Sequence, residues 1–330
     1  MPRNINGDLL KSISIFGVVY IHAYSLIDKT SILIFIRDAY RFAVPCFIIL
    51  WAYFLEKHFL RKENDKKKYL TTRFIHLLRV FLIWSLLYFL LSVNWSTLTF
   101  KNLFSQYFSG YGWSGQYFFI ILFQLIIIYP LLRKIYHIKI LRFLFIILTF
   151  ILYTYFEFYF YMLPEMIVKL GYRPFYFWII YVFIGISLAR NPSKKISTIF
   201  LFSPIILGLE LFYLGKYNFE HFDYITLGTL IFSSLFCAFF TQKKPLNYTE
   251  KINKLISFIG QNTLIIFVSN PLVIILLNNI IEHTGLINTE VQTHTWINIL
   301  LSLVIVTIVF IATLLIIKVL KKTRLIKILG

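Results

Sequence analysis

The sequence is short of charged residues and almost without cysteine. Charged side chains make up 14% of the 330 residues, whereas a water-soluble globular chain carries roughly a quarter. This shortage argues against an ordinary soluble protein. The two cysteines, Cys46 and Cys237, both lie inside apolar runs, so no disulfide framework is indicated.

Acidic residues are scarcer than basic ones, 14 against 33, and the formal net charge is +19. A nucleic-acid-binding protein would combine such a charge with a recognisable binding motif, and the sequence contains no such motif. In a membrane protein, basic residues collect in the cytoplasmic loops. We therefore interpret the charge as a sign of membrane topology and expect no nucleic-acid partner.

Long apolar runs are what the sequence does contain. Residues 298–317 read "NILLSLVIVTIVFIATLLII", and an apolar run of about 18 residues or more is typical of a membrane span. We predict an all-α polytopic membrane protein with about ten transmembrane helices. The predicted spans are residues 12–28, 40–56, 74–93, 116–132, 143–162, 174–189, 196–214, 223–241, 255–278 and 296–317.

The connectors between these spans predict the orientation. If the N-terminus is cytoplasmic, most of the 33 lysines and arginines fall on the inner side, as the positive-inside rule requires. An even number of spans then makes both termini cytoplasmic. No connector is long enough for a soluble domain, so residues 1–330 are expected to form a single integral-membrane domain. The aromatic outer connector, residues 92–115, suits either a membrane-interface belt or a surface that stacks on sugars.

Two ionisable residues, Lys11 and His22, lie at the ends of an otherwise mostly apolar stretch. Eleven positions correspond to three helical turns plus about 20°, so both side chains share one helix face and lie about 16 Å apart along the axis. An ionisable group inside a span normally faces the protein interior or a wet cavity. His22 suits either general-base chemistry or a neutral hydrogen bond between helices, and Lys11 alone suits a lysine that reaches the inner surface.

The same stretch resembles the first helix of the membrane-bound acyltransferase 3 family, in which ten residues separate a basic residue from a histidine. Further segments resemble that family in the same order along the chain. They are "RFAVPCFIILWAYFL", "TTRFIHLLRVFLIWSLLYFL", "GQYFFIILFQLIIIYPLL", "FWIIYVFIGISLAR" and "FIGQNTLIIFVSNPLV".

The resemblance implies a membrane O-acyltransferase in the inner membrane of a bacterium. Such an enzyme moves an acyl group, usually acetyl, from cytoplasmic acyl-CoA to a hydroxyl of a polysaccharide or lipid-linked glycan, without a metal. Membrane lipid would surround it. Succinyl transfer to an exopolysaccharide is a variant of this interpretation. Some family members carry an extracytoplasmic hydrolase-like domain, and we expect this chain to deliver its acyl group without one.

Within that interpretation, His22 is the expected general base, because a sugar hydroxyl is a poor nucleophile until a base accepts its proton. Lys11, Arg73 and Arg79 are expected to bind the phosphates of acyl-CoA, although ordinary charge asymmetry also explains the arginines. Arg41 is expected to bind the acceptor or to polarise the acyl carbonyl, and an anchor at the membrane interface is the alternative.

Five other residues are weaker candidates for the pocket. Asp8 can hold Lys11 through an i,i+3 pair. Gln116 and Tyr117 lie where the family often has a tryptophan, unless Trp113 takes that place. The last two, Asn262 and Asn270, suit either helix–helix hydrogen bonds or a pocket lining.

Two departures from the family pattern affect these expectations, and one role stays unassigned. Asn270 precedes Pro271 where many members have a histidine, which puts in doubt any mechanism that needs a second histidine. At the start of the third span, Arg79 would have to replace the second arginine of the family's Arg-x-x-Arg motif. The residue that orients His22 is not evident, and Glu157 or Glu210 could do so.

Two functions of other classes compete with the transferase. A carrier or flippase for a sugar-containing molecule would also have polar residues in its helices, but it would more naturally show internal repeats and broken helices. A structural partner of a glycan synthase would tolerate replacement of His22.

Overall fold

The computed structural model of the protein describes residues 5–26, 30–61, 65–93, 96, 99–100, 103, 109–191, 200–217, 220–242, 248–284, 295–323 and 329. Every regular element in these ranges is helical. The α-helices are α1 Ile5–Ala23, α2 Ser31–Ala39, α3 Ala43–Arg61, α4 Lys66–Ser92, α5 Gln116–His137, α6 Lys139–Phe158, α7 Glu165–Leu170, α8 Ile179–Arg190, α9 Ser203–Tyr217, α10 Leu227–Gln242, α11 Glu250–Gln261, α12 Thr263–Thr284 and α13 Thr295–Leu320.

The helices agree with a multi-pass membrane protein. Within the described ranges, five helices are long and apolar enough to cross a membrane, namely α4, α5, α6, most of α12 and most of α13, while α8 and α10 are shorter apolar helices. Each predicted span overlaps a helix. The total of ten spans and the cytoplasmic termini stay predictions. The connector cations between residues 192 and 199, and most of the aromatic connector 94–108, lie outside the described residues.

The ninth predicted span, residues 255–278, is not one helix. The chain breaks at Asn262, whose φ of −110° and ψ of 16° leave the helical region. The Asn262 side-chain amide donates a hydrogen bond to the Phe258 carbonyl, which satisfies an acceptor that the helix end would otherwise leave open. The predicted start of this span is therefore wrong, and the apolar helix begins at Thr263.

The helix before the break, α11, is amphipathic. Lys251 and Lys254 are exposed, whereas Ile256 and Gly260 are buried. Gly260 packs so closely on the first turn of α1 that a Cβ at this position would lie 2.8 Å from the Cα of Asp8. Only one side of α11 is therefore buried. A membrane span would instead be apolar around its whole circumference.

The first helix, α1, lies inside the helical assembly. It packs against α3, α10, α11, α12 and α13, and its side chains Leu10, Ile15, Val19 and Tyr20 are fully buried. A polar residue on such a helix faces other helices or a cavity instead of lipid tails, where an ionisable group is expensive. This position explains how α1 can carry both a lysine and a histidine.

A buried ion cluster ties three helices together at the C-terminal end of α3. Glu56 is 0% exposed. One carboxylate oxygen accepts hydrogen bonds from Arg133 Nε at 2.8 Å and from the Tyr129 hydroxyl at 3.0 Å. The other accepts from Arg190. Because these partners lie on α5 and α8, Glu56 connects α3 to both.

We expect Glu56→Gln to lower the stability of the protein. The carboxamide has the same size, but it loses the charge that both arginines need and turns an NH₂ group toward one of them. The expected loss is about 1–3 kcal/mol in the free energy of unfolding, measured as a lower thermal unfolding temperature of the detergent-solubilised protein.

Glu250→Gln is the matched control, because Glu250 is exposed and pairs only at the surface with Lys254, at 2.6 Å. Such a pair contributes up to about 1 kcal/mol. Equal unfolding temperatures for the two variants would contradict the role of Glu56.

Candidate functional site

His22, near the end of α1, lines two adjoining cavities. The larger has a volume of about 730 Å³ and the smaller about 220 Å³. Trp113 and Ser114 line both as well. We call the two together the His22 cavity. The side chains that complete the larger part include Arg37, Arg41, Tyr111, Tyr117, Tyr172 and Tyr224.

Asn270 of α12 orients the His22 ring. The distance from His22 Nδ1 to Asn270 Oδ1 is 2.8 Å. The amide cannot be turned around, because its nitrogen donates to the carbonyl oxygens of Ile266 and Phe267 at 2.9 and 2.8 Å, and carbonyl oxygens only accept. Oδ1 is therefore an acceptor, and Nδ1 carries the proton. In the neutral ring the lone pair then lies on Nε2.

A proline in α12 makes this arrangement of Asn270 possible. Pro271 has no backbone N–H, so the Phe267 carbonyl, one turn earlier, loses its helical partner and accepts from Asn270 instead. The next break is closed by Tyr88 of α4. Its hydroxyl donates to the Val268 carbonyl at 2.7 Å and accepts from the Leu272 N–H at 3.0 Å. Two side chains, Asn270 and Tyr88, thus bind the open backbone groups of the interrupted helix and hold α12 in place beside His22.

The segment before α5, residues 109–115, covers the histidine. Gly115 has a φ of +98°, a conformation that favours glycine. A Cβ at this position would lie 3.3 Å from His22 Cε1 and 2.6 Å from Phe267 Cζ. Glycine is therefore required both by the backbone conformation and by the two rings beneath it.

Gln116 positions that segment and does not line the cavity. It is 0% exposed. Its amide oxygen accepts from the Gly112 N–H at 2.7 Å, and its amide nitrogen donates to Ser85 Oγ at 3.1 Å. Trp113 donates to the same hydroxyl at 3.1 Å and stacks on Tyr88 with ring centroids 5.0 Å apart.

Arg41 lies in the wall of the same cavity as His22 and is held by two carboxylates. Its guanidinium is 3.0 Å from Asp223 Oδ2 and 3.4 Å from Asp38 Oδ1. It also lies over the Tyr224 ring, 5.0 Å from the centroid. These contacts hold the charge in place and balance it, so that Arg41 can offer directed hydrogen bonds to a neutral polar ligand.

Three of the tyrosines that line the His22 cavity pack against one another. The Tyr117 hydroxyl donates to that of Tyr224 at 2.7 Å, and Tyr172 packs edge-on against both rings. Burial, and then the neighbouring Tyr224, raise the pKa of Tyr172 in the connection before α8. Its hydroxyl therefore stays protonated at neutral pH.

A second cavity, of about 670 Å³, lies around Lys11, and we call it the Lys11 cavity. Three more cations line it, Lys57, Arg61 and Arg73. None of the described residues in its lining is acidic. The Lys11 ammonium lies 4.8 Å from the centroid of the Phe54 ring and 3.6 Å from Asp8 Oδ1. The cavity therefore suits a polyanionic ligand with an apolar part.

The two predicted arginines of the third span lie differently. Arg73 lines the Lys11 cavity, whereas Arg79 does not and instead lines a neighbouring cavity of about 450 Å³. Arg79 contacts His76 Nδ1 at 3.3 Å. The structure thus brings Arg73 but not Arg79 into the same cavity as Lys11.

The remaining sequence candidates have structural contacts. Asp8 pairs with Lys11 in the predicted i,i+3 manner. Asn262 ends α11 and lines none of the cavities described above. Two acidic residues considered as partners of His22 lie elsewhere. Glu157 accepts from the Leu227 N–H at 3.1 Å and Glu210 from the Gly228 N–H, at the start of α10, where backbone N–H groups need acceptors.

Sequence reasoning missed several residues of this arrangement. Tyr88 and Ser85 carry no pattern that separates them from other polar residues in an apolar helix. The Asn-Pro pair at 270–271 did contain a signal, because a proline inside a helix frees a carbonyl that a neighbouring amide can bind. Among the described residues, no group of three His, Cys, Asp or Glu side chains is placed to hold a metal ion.

The chain was compared with known proteins. A family model described as "Acyltransferase domain", of the acyltransferase 3 family, matches residues 4–318. The chain therefore belongs to this family and is an acyltransferase, as its resemblance in sequence predicted. No curated protein and no solved structure matches it.

Proposed function

We propose that the protein is a single-domain membrane O-acyltransferase of the bacterial inner membrane. It takes an acyl group, in the simplest case acetyl, from acyl-CoA in the Lys11 cavity and transfers it to a hydroxyl of a cell-surface or exported polysaccharide in the His22 cavity. The observation that carries this proposal is the hydrogen bond from His22 to Asn270. It fixes the tautomer in which Nε2 can accept a proton beside a cavity.

The reaction follows from that tautomer. Nε2 of His22 accepts the proton of the sugar hydroxyl while its oxygen attacks the thioester carbonyl. The new C–O bond forms, the C–S bond breaks, and the proton passes to the sulfur of the departing CoA. Arg41, in the same cavity, can donate to the carbonyl oxygen as negative charge develops there. Asn270 holds the ring by Nδ1 throughout and takes no proton.

The Lys11 cavity supports acyl-CoA as the donor. Its four cations match the phosphates of CoA, and its aromatic residues Phe47, Trp51 and Phe54 match the uncharged arm. The open aromatic His22 cavity supports a carbohydrate acceptor, because tyrosine rings offer both stacking faces and hydroxyl partners.

We expect Arg73→Ala to raise the KM for acyl-CoA about tenfold with little change in kcat, because it removes a charge-assisted hydrogen bond far from the reacting atoms. The assay follows CoA thiol release in membrane vesicles. Arg142→Ala is the matched control, since each arginine lies about 5 Å over a tyrosine ring but Arg142 lines no described cavity. Arg79→Ala is expected to have the smaller effect. An unchanged KM for Arg73→Ala would contradict the donor assignment.

The proposed function is tested by the mass of the surface glycan from cells with and without the gene. The transferase predicts loss of an acyl increment, 42 Da being that of an acetyl group (about 100 Da for succinyl). A carrier would instead change the amount of glycan without changing its mass, and that result would overturn the proposal.

A further inference from the structure

The two cavities approach each other along one face of α12. Thr263 lines the Lys11 cavity and Pro271 lines the His22 cavity. Phe267 lies between them at the i, i+4, i+8 spacing that shares a helix face. Eight residues correspond to about 12 Å along the helix axis. Only a short barrier therefore separates the donor side from His22.

Aromatic rings fill this barrier. Phe267 is 5% exposed, and its ring centroid lies 5.4 Å from that of Phe118 and 6.0 Å from that of Phe119. Below it, Phe118 contacts Phe47, which lines the Lys11 cavity, with centroids 6.4 Å apart. Above it, Phe267 contacts His22 at 5.9 Å. Phe267 is thus the ring that touches both the barrier and the histidine.

We propose that Phe267 is a gate residue that separates the two cavities and limits the size of the acyl group that passes to His22. This proposal deepens the function proposed above and rests on it. An acyl thioester held at Lys11 must pass this ring to reach the attacking hydroxyl. A small acyl group needs a small displacement of Phe267, whereas a long one needs more room than the buried ring can yield in a close-packed interior.

The surroundings of Phe267 fit such a role. Gly115 lies directly over the ring tip, where a Cβ would come within 2.6 Å of Phe267 Cζ, so the ring fills the space that glycine leaves. The closed position also keeps water of the Lys11 cavity away from His22, which favours transfer over hydrolysis.

The barrier can be tested without any acyl transfer. We would place His22→Cys in a Cys46→Ala/Cys237→Ala background and label the thiol with a membrane-impermeant anionic methanethiosulfonate in sealed vesicles. From the Lys11 side, we expect slow labelling with Phe267 present and labelling about tenfold faster or more with Phe267→Ala, because water and reagent can enter the space left by the ring. Lys57→Cys identifies the Lys11 side.

Phe183→Ala is the matched control. Phe183 is also buried, at 2% exposed, but it packs against Tyr136 and Phe145 and lines neither cavity. It should leave the labelling from the Lys11 side slow. Equal labelling rates with and without the Phe267 ring, or an equal increase with Phe183→Ala, would overturn the gate.

A second measurement tests the size limit. With the full-length protein and no glycan, Phe267→Ala should hydrolyse acetyl-CoA faster than wild type, and its rate with hexanoyl-CoA relative to acetyl-CoA should rise about tenfold. An unchanged ratio would overturn the size limit. If neither protein cleaves any thioester even when the glycan acceptor is added, under conditions in which the labelling shows the barrier, the proposed function fails and the barrier stands.

Discussion

His22→Ala is expected to lower acyl transfer by about 10²- to 10⁴-fold, the range that a general base contributes. Without the imidazole, the described polar side chains that line the His22 cavity are Arg37, Arg41 and the hydroxyl groups of tyrosines and serines, and none of these accepts a proton readily at neutral pH. The measurement is the acyl content of the surface glycan, by mass, in cells that carry the variant as their only copy.

The control separates loss of chemistry from loss of protein. His137→Ala replaces an exposed histidine at the end of α5, which does not line the His22 cavity. It should leave the acyl content unchanged. Both variants should be present in the membrane at wild-type amounts. A His22→Ala protein with wild-type acyl transfer would contradict the assignment of the base.

Asn270→Leu is expected to lower kcat about 100-fold, because a misplaced catalytic group costs about that much. Leucine fills the space but accepts no hydrogen bond, so Nδ1 loses its partner and the ring is free to turn or to take the other tautomer. The KM for acyl-CoA should stay near the wild-type value, because the Lys11 cavity is lined by other residues. A loss of folding would not lower kcat while leaving the KM for acyl-CoA unchanged, so this pattern identifies a positioning role.

Two further variants sharpen the test at Asn270. Asn270→His places there the residue that many family members have, and its ring nitrogen can accept a hydrogen bond from the Nδ1–H of His22, so it should retain activity within about tenfold of wild type. Ser269→Ala is the matched control, since Ser269 is equally buried but bonds only the Ile265 carbonyl of its own helix. An active Asn270→Leu protein would show that His22 needs no positioning from α12.

The sequence allowed local features of the site to be predicted. The spacing of Lys11 and His22 predicted one shared helix, and α1 contains both residues. The i,i+3 pair of Asp8 and Lys11 is likewise a local relation that helix geometry determines. Apolar run length indicated membrane helices for the same reason, since it depends only on neighbouring residues.

Relations between distant parts of the chain could not be predicted in this way. The 248 positions between His22 and Asn270 leave no spacing rule that joins them, and the carboxylates considered instead cap α10. Arg79 lies one turn beyond the second arginine of the family motif, and its direction from α4 depends on how that helix packs. The break at Asn262 was missed because apolar residues continue on both sides of it.

The most direct test of the central claim follows the acyl group across the protein. Sealed membrane vesicles would receive acetyl-CoA, radiolabelled in its acetyl group, on the Lys11 side only, and label would then be counted in the glycan. We predict label in the glycan with the wild-type protein and none above background with His22→Ala. Equal label with the two proteins, or equal label from acetyl-CoA supplied on either side, would contradict the account.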